Sequence, residues 1–335
     1  MLAAVAVKQS PDDPLSCLSV REVAAPTIAT DWARVRVVAA TLNMHDLWTL
    51  RGVGHDPKNL PMVLGCDAAG YDDDGNPVIV YPVIANPDAG GGDETLDPDR
   101  ALLSERHNGT FATYVTVPQR NLIPKPDWLT FEEAACLPVC WTTAYRMLFT
   151  QANIRPGDRV LVQGAGGGVA SAAIKLAAAA GAVVYATSSS PSKRAAAMSW
   201  GAYKAVPTGE RLPDRVDVVI ETVGEATWSH SLKSLRPGGT VVIAGATSGV
   251  NPPADLGRVF YQQQRILGST GATRSEMVAL LRTMQATGLR PVIDRALPLT
   301  DIHKGFQSML DGEITGKVVI YPPAPQDTEE GRGAA

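Results

Sequence analysis

The first third of the chain is dominated by alternation of apolar and polar residues. Residues 33–38 alternate with the two-residue period of a half-buried β-strand. Residues 76–85 (NPVIVYPVIA) and 110–118 (TFATYVTVP) show the same pattern, and the short apolar run after Met1 is interpreted as a first strand. This part of the sequence therefore predicts a β-rich unit that ends between Pro118 and Pro126.

The middle third changes to short apolar runs separated by alanine-rich segments. Residues 130–149 are predicted to be helical, with Thr130 as N-cap and Glu133 at the spacing of a capping box. Apolar runs at 158–164, 182–188, 216–224 and 238–245 then alternate with helical segments such as 171–181 and 191–201. Short buried strands separated by helices predict an α/β fold, a doubly wound parallel sheet of Rossmann type.

The last part predicts a strand at 265–271, a helix at 275–288, and then a strand, a helix and a strand up to residue 321. Residues 86–108 are polar and glycine-rich without periodicity, which predicts a surface lobe or long loop. Residues 322–335 are rich in proline, charge and small side chains, so we expect a disordered tail.

Composition narrows the class of protein. A chain of 335 residues is long enough for two domains. The net charge of −4 gives no basic footprint for nucleic acid, and the sequence holds no long apolar run that would span a membrane. The N-terminus lacks the basic region of a secretion signal. The four cysteines have no C-x-x-C spacing, so we expect reduced, mostly buried thiols and a cytoplasmic protein.

The strongest local motif follows the apolar run at 160–162. It reads Gly164-Ala-Gly-Gly-Gly-Val-Ala170 and is followed at once by a helix. Glycines allow backbone N–H groups to approach a pyrophosphate, and the helix N-terminus behind them carries partial positive charge. The match to G-x-G-x-x-G is imperfect, but its position between strand and helix favours dinucleotide binding. The predicted contacts are Gly166, Gly167, Gly168 and Val169.

The end of the second strand distinguishes NAD from NADP. An NAD site needs an acidic residue there for the ribose 2′-OH, and residues 182–196 contain none. Hydroxyls and positive charges, which suit a 2′-phosphate, are present instead: Ser188, Ser189, Ser190, Lys193 and Arg194. The sequence therefore favours NADPH, with a solvated basic helix start as the alternative.

Taken in order, the segments 25–46, 61–70, 109–118, 137–148, 162–170 and 314–320 resemble the medium-chain dehydrogenase/reductase superfamily, and within it the zinc-free quinone oxidoreductase (zeta-crystallin-like) members. The resemblance covers almost the whole chain, from about Leu2 to Tyr321. It implies a GroES-like (chaperonin-10-like), partly open β-barrel catalytic domain at 1–123 and 271–321, with a Rossmann NADP(H)-binding domain at 124–270 between them. Cofactor and substrate would meet in the cleft between the domains.

Zinc-dependent members of this superfamily hold the metal with Cys, His and Cys. By their neighbours in the motifs, the corresponding positions here are Asn43, Cys66 and Val139, and Asn and Val are poor zinc ligands. Residues 86–108, which correspond to the structural zinc lobe, contain no cysteine. We therefore expect no metal at either site. A site shifted by one residue, formed by Cys66, Cys140, Asp67 and a histidine, is the rival interpretation; otherwise Cys140 belongs to the helix core.

The resemblance then implies hydride transfer from NADPH to a quinone or an α,β-unsaturated carbonyl. Asn43 and Thr143 are the predicted polar groups near nicotinamide or substrate, with a turn asparagine and a helix-face hydroxyl as the alternatives. Trp48 replaces a tyrosine that related reductases use as a donor; indole can donate a hydrogen bond but is no general acid, which favours quinone reduction. His45 and His55 could titrate beside this segment.

Further cofactor contacts are expected at the carboxyl ends of later strands, where doubly wound sheets bind ligands. These residues are Thr222, Val223, Gly245, Ala246, Thr247, Gly268 and Ser269, with Lys317 approaching from the other domain. Simple strand-ending turns, and a surface lysine, are the equal alternatives. Edge strands late in the Rossmann half favour a homodimer, or a pair of dimers.

Two other functions remain open. The first is an enoyl-thioester or 2-alkenal reductase of the same fold, which a broad apolar cleft with a basic rim would favour. The second is a non-enzymatic dinucleotide-binding protein, against which the intact nucleotide motif argues. In either case the expected partner is a small molecule and neither a nucleic acid nor a membrane.

Overall fold

A computed structural model of the chain describes residues 1–324. The strands are β1 Leu2–Ala6, β2 Leu18–Glu22, β3 Trp32–Thr41, β4 Met62–Val63, β5 Asp67–Asp72, β6 Pro77–Val80, β7 Val83–Ile84, β8 Ala101–Leu102, β9 Tyr114–Pro118, β10 Leu122–Pro124, β11 Arg159–Val162, β12 Val183–Thr187, β13 Lys204–Val206, β14 Val216–Glu221, β15 Leu235–Ile243, β16 Arg265–Gly268, β17 Ile293–Pro298 and β18 Lys317–Tyr321. The α-helices are α1 Met44–Arg51, α2 Phe131–Ala135, α3 Thr142–Tyr145, α4 Gly168–Ala179, α5 Pro191–Ser199, α6 Glu225–Ser234, α7 Leu256–Tyr261, α8 Arg274–Thr287 and α9 Ile302–Leu310.

The first large sheet combines the N-terminal strands with the end of the chain. Its order is β10-β6-β5-β3-β18-β17, and β9 also pairs with β3. The C-terminal strand β18 runs antiparallel to β3, with Val319 opposite Thr41. Alternating side chains of β3 and β18, among them Val35, Val37 and Val318, pack into one buried hydrophobic core. This pairing returns the C-terminal segment to the N-terminal unit, as the predicted split architecture requires.

The second large sheet is parallel throughout, with the order β13-β12-β11-β14-β15-β16. The order reverses at β11, where the glycine motif follows the strand. Strands such as Val160–Val162 are buried on both faces, which explains why the sequence shows continuous apolar runs there and not alternation. The predicted Rossmann doubly wound fold is confirmed.

The helical stretch after Pro126 begins as predicted. The Thr130 hydroxyl accepts the Glu133 N–H at 3.2 Å, and the Glu133 carboxylate accepts the Thr130 N–H at 3.0 Å, so the capping box is confirmed. The stretch is not a uniform α-helix, however, because Leu137–Trp141 and Arg146–Gln151 are π-helical. A π-turn takes more residues than an α-turn, so it changes which side chains share a helix face.

The predicted lobe at 86–108 is mostly irregular, but it is anchored and not merely a surface feature. Glu94 is buried, and its carboxylate accepts the Arg274 N–H at 2.8 Å. The Asp93 carboxylate accepts a hydrogen bond from Arg146 at 2.5 Å. Buried Glu94 and partly buried Asp93 therefore attach this lobe to α8 and to the π-helical segment Arg146–Gln151.

No helix in residues 1–324 has the length and hydrophobicity needed to cross a bilayer. All four cysteines are unpaired and buried: Cys17, Cys66, Cys136 and Cys140. The predicted disordered tail lies outside the described residues from position 325 onward.

Candidate active site

A cleft of about 930 Å³ lies between the two large sheets. One wall comes from α1 and the lobe at 95–105, and the other from the glycine loop and the ends of β14 and β15. The segment before β18 closes the cleft from a third side, through Gly316 and Lys317. The cleft thus lies at the carboxyl edge of the parallel sheet, where doubly wound folds bind ligands.

The glycine loop has the backbone that its sequence predicts. Gly164 and Gly166 have φ values of +69° and +127°, which favour glycine. Helix α4 has Gly167 as N-cap and no side-chain cap, so its first N–H groups are left for a ligand. A Cβ on Gly168 would lie 2.7 Å from the Cys140 sulfur and 2.8 Å from Cδ of Lys317. The loop therefore packs against Cys140 of its own unit and Lys317 of the other, and Gly167, Gly168 and Val169 line the cleft.

The predicted phosphate-binding residues after β12 surround one short turn. The Ser190 hydroxyl caps α5. The Nη1 of Arg194 donates to the carbonyl oxygens of Ser188, at 2.7 Å, and of Ser189, at 3.0 Å. Lys193 lines the cleft, and its Nζ donates to the Gly312 carbonyl at 2.6 Å. Burial lowers the pKa of Lys193. Of the five predicted residues, Lys193 lines the cleft, whereas Ser188, Ser189, Ser190 and Arg194 are not among its lining residues.

Only some of the residues predicted at the carboxyl ends of β14, β15 and β16 line the cleft. Thr222, Val223, Gly245 and Thr247 line the cleft, whereas Ala246, Gly268 and Ser269 do not, and Thr270 lines it in their place. The loop after β14 is ordered by buried Glu221, whose Oε1 accepts the N–H groups of Val223 at 2.8 Å and Gly224 at 3.0 Å.

The centre of the site is a buried polar cluster around Lys317. Its Nζ donates to the Leu42 carbonyl at 2.8 Å, to Asn43 Oδ1 at 2.6 Å and to Asp67 Oδ2 at 3.1 Å. The Cys140 sulfur lies 3.5 Å from the same Nζ. Lys317 is 3% exposed and Asp67 is fully buried, so this is a buried ion pair and not a surface lysine.

Hydrogen bonds saturate the other members of the Lys317 cluster. Asn43 Nδ2 donates to Asp67 Oδ2 at 2.9 Å and lies 3.7 Å from the Cys66 sulfur. The Cys140 thiol donates to Asn43 Oδ1 at 3.4 Å. The Val139 N–H donates to Asp67 Oδ1 at 2.8 Å. The Asn43 amide, which sequence reasoning directed at nicotinamide or substrate, is therefore engaged within the cluster.

Burial and charge shift the titration of these groups in a consistent direction. Burial alone would lower the pKa of Lys317, but the acceptors around its ammonium group, the Asp67 carboxylate among them, outweigh this effect and the pKa is raised. Burial also raises the pKa of the Cys140 thiol. Burial raises the pKa of the Cys66 thiol well above its usual range, and Asp46 and Asp67 add to the effect. Burial also raises the pKa of Asp46 to about 6. The cluster thus holds an ammonium ion beside neutral thiols.

Val139, the position that the resemblance aligns with the third zinc ligand, reaches the cluster through its backbone N–H, which donates to Asp67 Oδ1. The thiol of the next residue, Cys140, donates to Asn43 Oδ1 at 3.4 Å. Both residues lie in the π-helical turn Leu137–Trp141. Cys140 therefore joins Asn43 and Lys317, and it does not belong to the helix core alone.

These residues do not fit a catalytic zinc ion. The Lys317 ammonium lies against Asn43 and Cys140, where a second cation would be repelled. His45, Asp46 and Cys66 bring ligand atoms within 4.8 Å of one another. However, both Asp46 oxygens accept backbone N–H groups, from Asn43 at 2.8 Å and Gly65 at 3.0 Å, and His45 is engaged by Glu105 at 3.0 Å.

Two further predicted residues, Thr143 and Trp48, line the cleft. Sequence reasoning did not single out the pair beside them, in which His45 Nε2 lies 3.0 Å from Glu105 Oε1. The Glu105 carboxylate also accepts the Leu102 N–H at 2.8 Å. His55 is 7% exposed and its Nδ1 lies 3.1 Å from Gln9 Nε2, outside the cleft lining.

Comparison with known protein families supports both halves of the architecture. Residues 29–127 match the family described as alcohol dehydrogenase GroES-like domain, and residues 168–286 match the family described as zinc-binding dehydrogenase. A 2-methylene-furan-3-one reductase from Solanum lycopersicum is 34% identical over 311 residues, which cover 90% of this chain and 74% of that protein.

Two solved structures resemble the whole chain. An NAD-dependent alcohol dehydrogenase superimposes with a TM-score of 0.89 at 34% identity, covering 96% of this chain and 100% of the other. A 2-octenoyl-CoA carboxylase reductase in complex with NADP and 2-octenoyl-CoA superimposes with a TM-score of 0.87 at 26% identity, covering 97% and 89%.

The buried pair predicts a large effect of removing its carboxylate. Asp67→Asn leaves the Lys317 ammonium without its counter-charge, and breaking a buried pair in this way destabilises a protein by about 3–5 kcal/mol. Thermal unfolding of the purified variant measures this effect. The matched control is Asp73→Asn, which breaks an exposed pair with Arg34 at 2.9 Å and should change stability by about 1 kcal/mol or less. Equal losses in the two variants would contradict the assignment of the pair.

Proposed function

Because the chain belongs to the medium-chain dehydrogenase/reductase superfamily, we propose that it is an NADPH-dependent reductase that transfers hydride to an α,β-unsaturated carbonyl or a quinone, without catalytic zinc. The observation that carries the proposal is the meeting of the glycine loop and the Lys317 cluster in one cleft. The domain limits predicted from the sequence, 1–123 with 271–321 and 124–270, are part of the proposal.

NADPH fits the residues that surround the cleft. Nicotinamide supplies the hydride when it is bound. The uncapped start of α4 would receive the pyrophosphate, and the turn formed by Ser188, Ser189 and Ser190 with Lys193 and Arg194 would bind the 2′-phosphate. Among the similar structures, one is titled as a complex with NADP and another is described as NAD-dependent. The absence of an acidic residue after β12 decides in favour of NADPH.

The side chains of the cleft support carbonyl reduction by hydrogen bonding. Hydride addition to the β-carbon of an α,β-unsaturated carbonyl requires a proton at the α-carbon, whereas a hydroquinone anion takes its proton from water. The Thr143 hydroxyl and the Trp48 indole N–H line the cleft as donors for a carbonyl oxygen. Asn43 has a positioning role in this proposal, because its Oδ1 accepts a hydrogen bond from Lys317 and holds the lysine in place.

Of the two hydride acceptors in this proposal, the names of the similar proteins favour the α,β-unsaturated carbonyl over the quinone. The Solanum lycopersicum relative is named for an enone, and the octenoyl-CoA complex is named for an unsaturated thioester. An enoyl-thioester or 2-alkenal reductase is therefore the second candidate, while a non-enzymatic dinucleotide-binding protein has no specific observation in its favour.

The main test is an absorbance assay at 340 nm with protein treated with a chelator. We expect tight NADPH binding, and NADPH oxidation with crotonyl-CoA, a simple enone or 9,10-phenanthrenequinone that survives chelation. Loss of activity on chelation would reject the zinc-free mechanism. Binding of NADPH without turnover of any acceptor would reject the reductase and leave the non-enzymatic alternative.

Cofactor preference has its own prediction. Arg194→Gln should raise the KM for NADPH by about 10- to 100-fold, because one or two charge-assisted hydrogen bonds to the 2′-phosphate are lost. The KM for NADH should not change. Steady-state kinetics with both cofactors measures the difference. Arg215→Gln is the control, because this exposed arginine precedes β14 at the opposite end of the sheet. An unchanged NADPH preference would indicate that the basic helix start is only solvated.

A homodimer and a cytoplasmic location complete the proposal. Four buried free thiols are typical of a reducing compartment. The edge strand β16 is flanked by exposed apolar side chains, with Phe260 73% and Tyr261 77% exposed. An apolar surface beside an open sheet edge is the feature that two-fold pairing would cover.

The dimer is tested by light scattering after gel filtration. We expect wild-type protein to show about twice the 35.3 kDa mass of one chain. Phe260→Asp with Tyr261→Asp should shift it to the monomer, because two charges oppose burial of the surface. Tyr203→Asp is the control, since Tyr203 is 66% exposed near the opposite edge strand. A monomeric wild type would contradict the proposal.

A further inference from the structure

The charges of the cleft are unequal. Four side chains with permanent positive charge line it, namely Arg51, Arg100, Lys193 and Lys317. Glu105 is the one carboxylate among the lining residues. In a cleft of low dielectric such an excess of positive charge attracts anions and repels cations.

Two of these cations already have partners or roles. Lys317 is paired with Asp67 at 3.1 Å, and Lys193 belongs to the turn that receives the 2′-phosphate. The Glu105 carboxylate is engaged by His45 and by the Leu102 N–H. None of these groups therefore neutralises Arg51 or Arg100.

Within residues 1–324, neither Arg51 nor Arg100 has a carboxylate within the 4.0 Å of an ion pair. Arg100 Nη1 donates only to the Asp97 carbonyl, at 3.1 Å. No ion pair engages the Arg51 guanidinium among the described residues, and its Nε, which is screened from solvent, has no hydrogen-bond partner there. Because Arg51 lines the cleft without a counter-charge, an anion entering the cleft would meet an unpaired guanidinium.

The position of Arg51 in the cleft suits contact with a part of the substrate other than the reacting carbon. It is the last residue of α1 and lies three residues after Trp48, so the two share a face of the helix and both line the cleft. Apolar side chains, among them Val53, Met309 and Leu310, line the same cleft. The arrangement suits a substrate with an apolar body and an anionic group.

We infer that Arg51, assisted by Arg100, is a specificity-determining residue that binds an anionic group of the substrate, a phosphate or a carboxylate attached to the α,β-unsaturated carbonyl. This inference rests on the proposed function and narrows its substrate class. The planar guanidinium offers paired donors to either group. Neutral enones and quinones should enter the same cleft but without this contact.

The experiment compares substrates that share the reacting end but differ in charge. Crotonyl-CoA is paired with the uncharged thioester S-crotonyl-N-acetylcysteamine, and 4-oxo-2-pentenoate is paired with the neutral 3-penten-2-one. In Arg51→Gln we expect the KM of the anionic member to rise by about 10- to 100-fold with little change in kcat. The neutral members should be unaffected, and Arg51→Lys should restore part of the loss.

The two anionic probes identify the source of the charge. A loss confined to crotonyl-CoA assigns a phosphate, and a loss confined to 4-oxo-2-pentenoate assigns a carboxylate. The control variant is Arg34→Gln, which removes an exposed arginine of β3 that lies outside the cleft lining. Equal losses on charged and neutral substrates would mean that Arg51 only supports the fold, and no loss on any substrate would also overturn the inference.

Equilibrium binding separates this inference from the proposed function. Calorimetric titration of the NADP⁺-loaded protein with crotonyl-CoA and with 4-oxo-2-pentenoate needs no turnover. Charge-dependent binding that Arg51→Gln weakens about 10-fold or more would support the anion site even if no reduction occurs. If reduction occurs but neither anion binds more tightly than its neutral counterpart, the inference fails and the reductase stands.

Discussion

The buried ion pair between Lys317 and Asp67 is the interaction on which the arrangement of the site depends. Its lysine comes from the last strand and its aspartate from β5, and the same ammonium also bonds the segment that starts α1. Charges removed from water are tolerated only when partners surround them. The pair therefore fixes three distant parts of the chain to one point, from which the cleft is built.

The cluster also determines how the two sheets meet. Gly168 begins α4 of the parallel sheet, and it has no room for a Cβ because Cys140 and Lys317 lie against it. The Gly316 N–H donates to the Gly166 carbonyl at 2.7 Å, one residue before Lys317. A dinucleotide bound on the glycine loop would therefore lie beside the polar cluster. The lysine thus links the fold of one unit to the ligand site of the other.

Lys317 changes the chemistry that the site can perform. A buried ammonium ion occupies the centre, and its hydrogen bonds go to Leu42, Asn43 and Asp67. A second cation at this point would be repelled by it. Two further positive charges, Arg51 and Arg100, line the same cleft. In the proposed function, the cofactor, the carbonyl and the anionic group of the substrate would all bind in this one cleft.

Local patterns in the sequence determined the architecture. The β-alternation, the apolar runs of the parallel strands, the Thr130 capping box and the glycine loop are all set by residues close in sequence, so periodicity and motif context sufficed to predict them. The ordered motifs also identified the superfamily. Tertiary structure alone decided which side chains meet. It brings the Cys140 thiol and the Lys317 ammonium to Asn43, pairs His45 with Glu105, and leaves Arg51 without a counter-charge among the described residues. These depend on contacts between residues up to 274 positions apart, and on burial that no local pattern encodes.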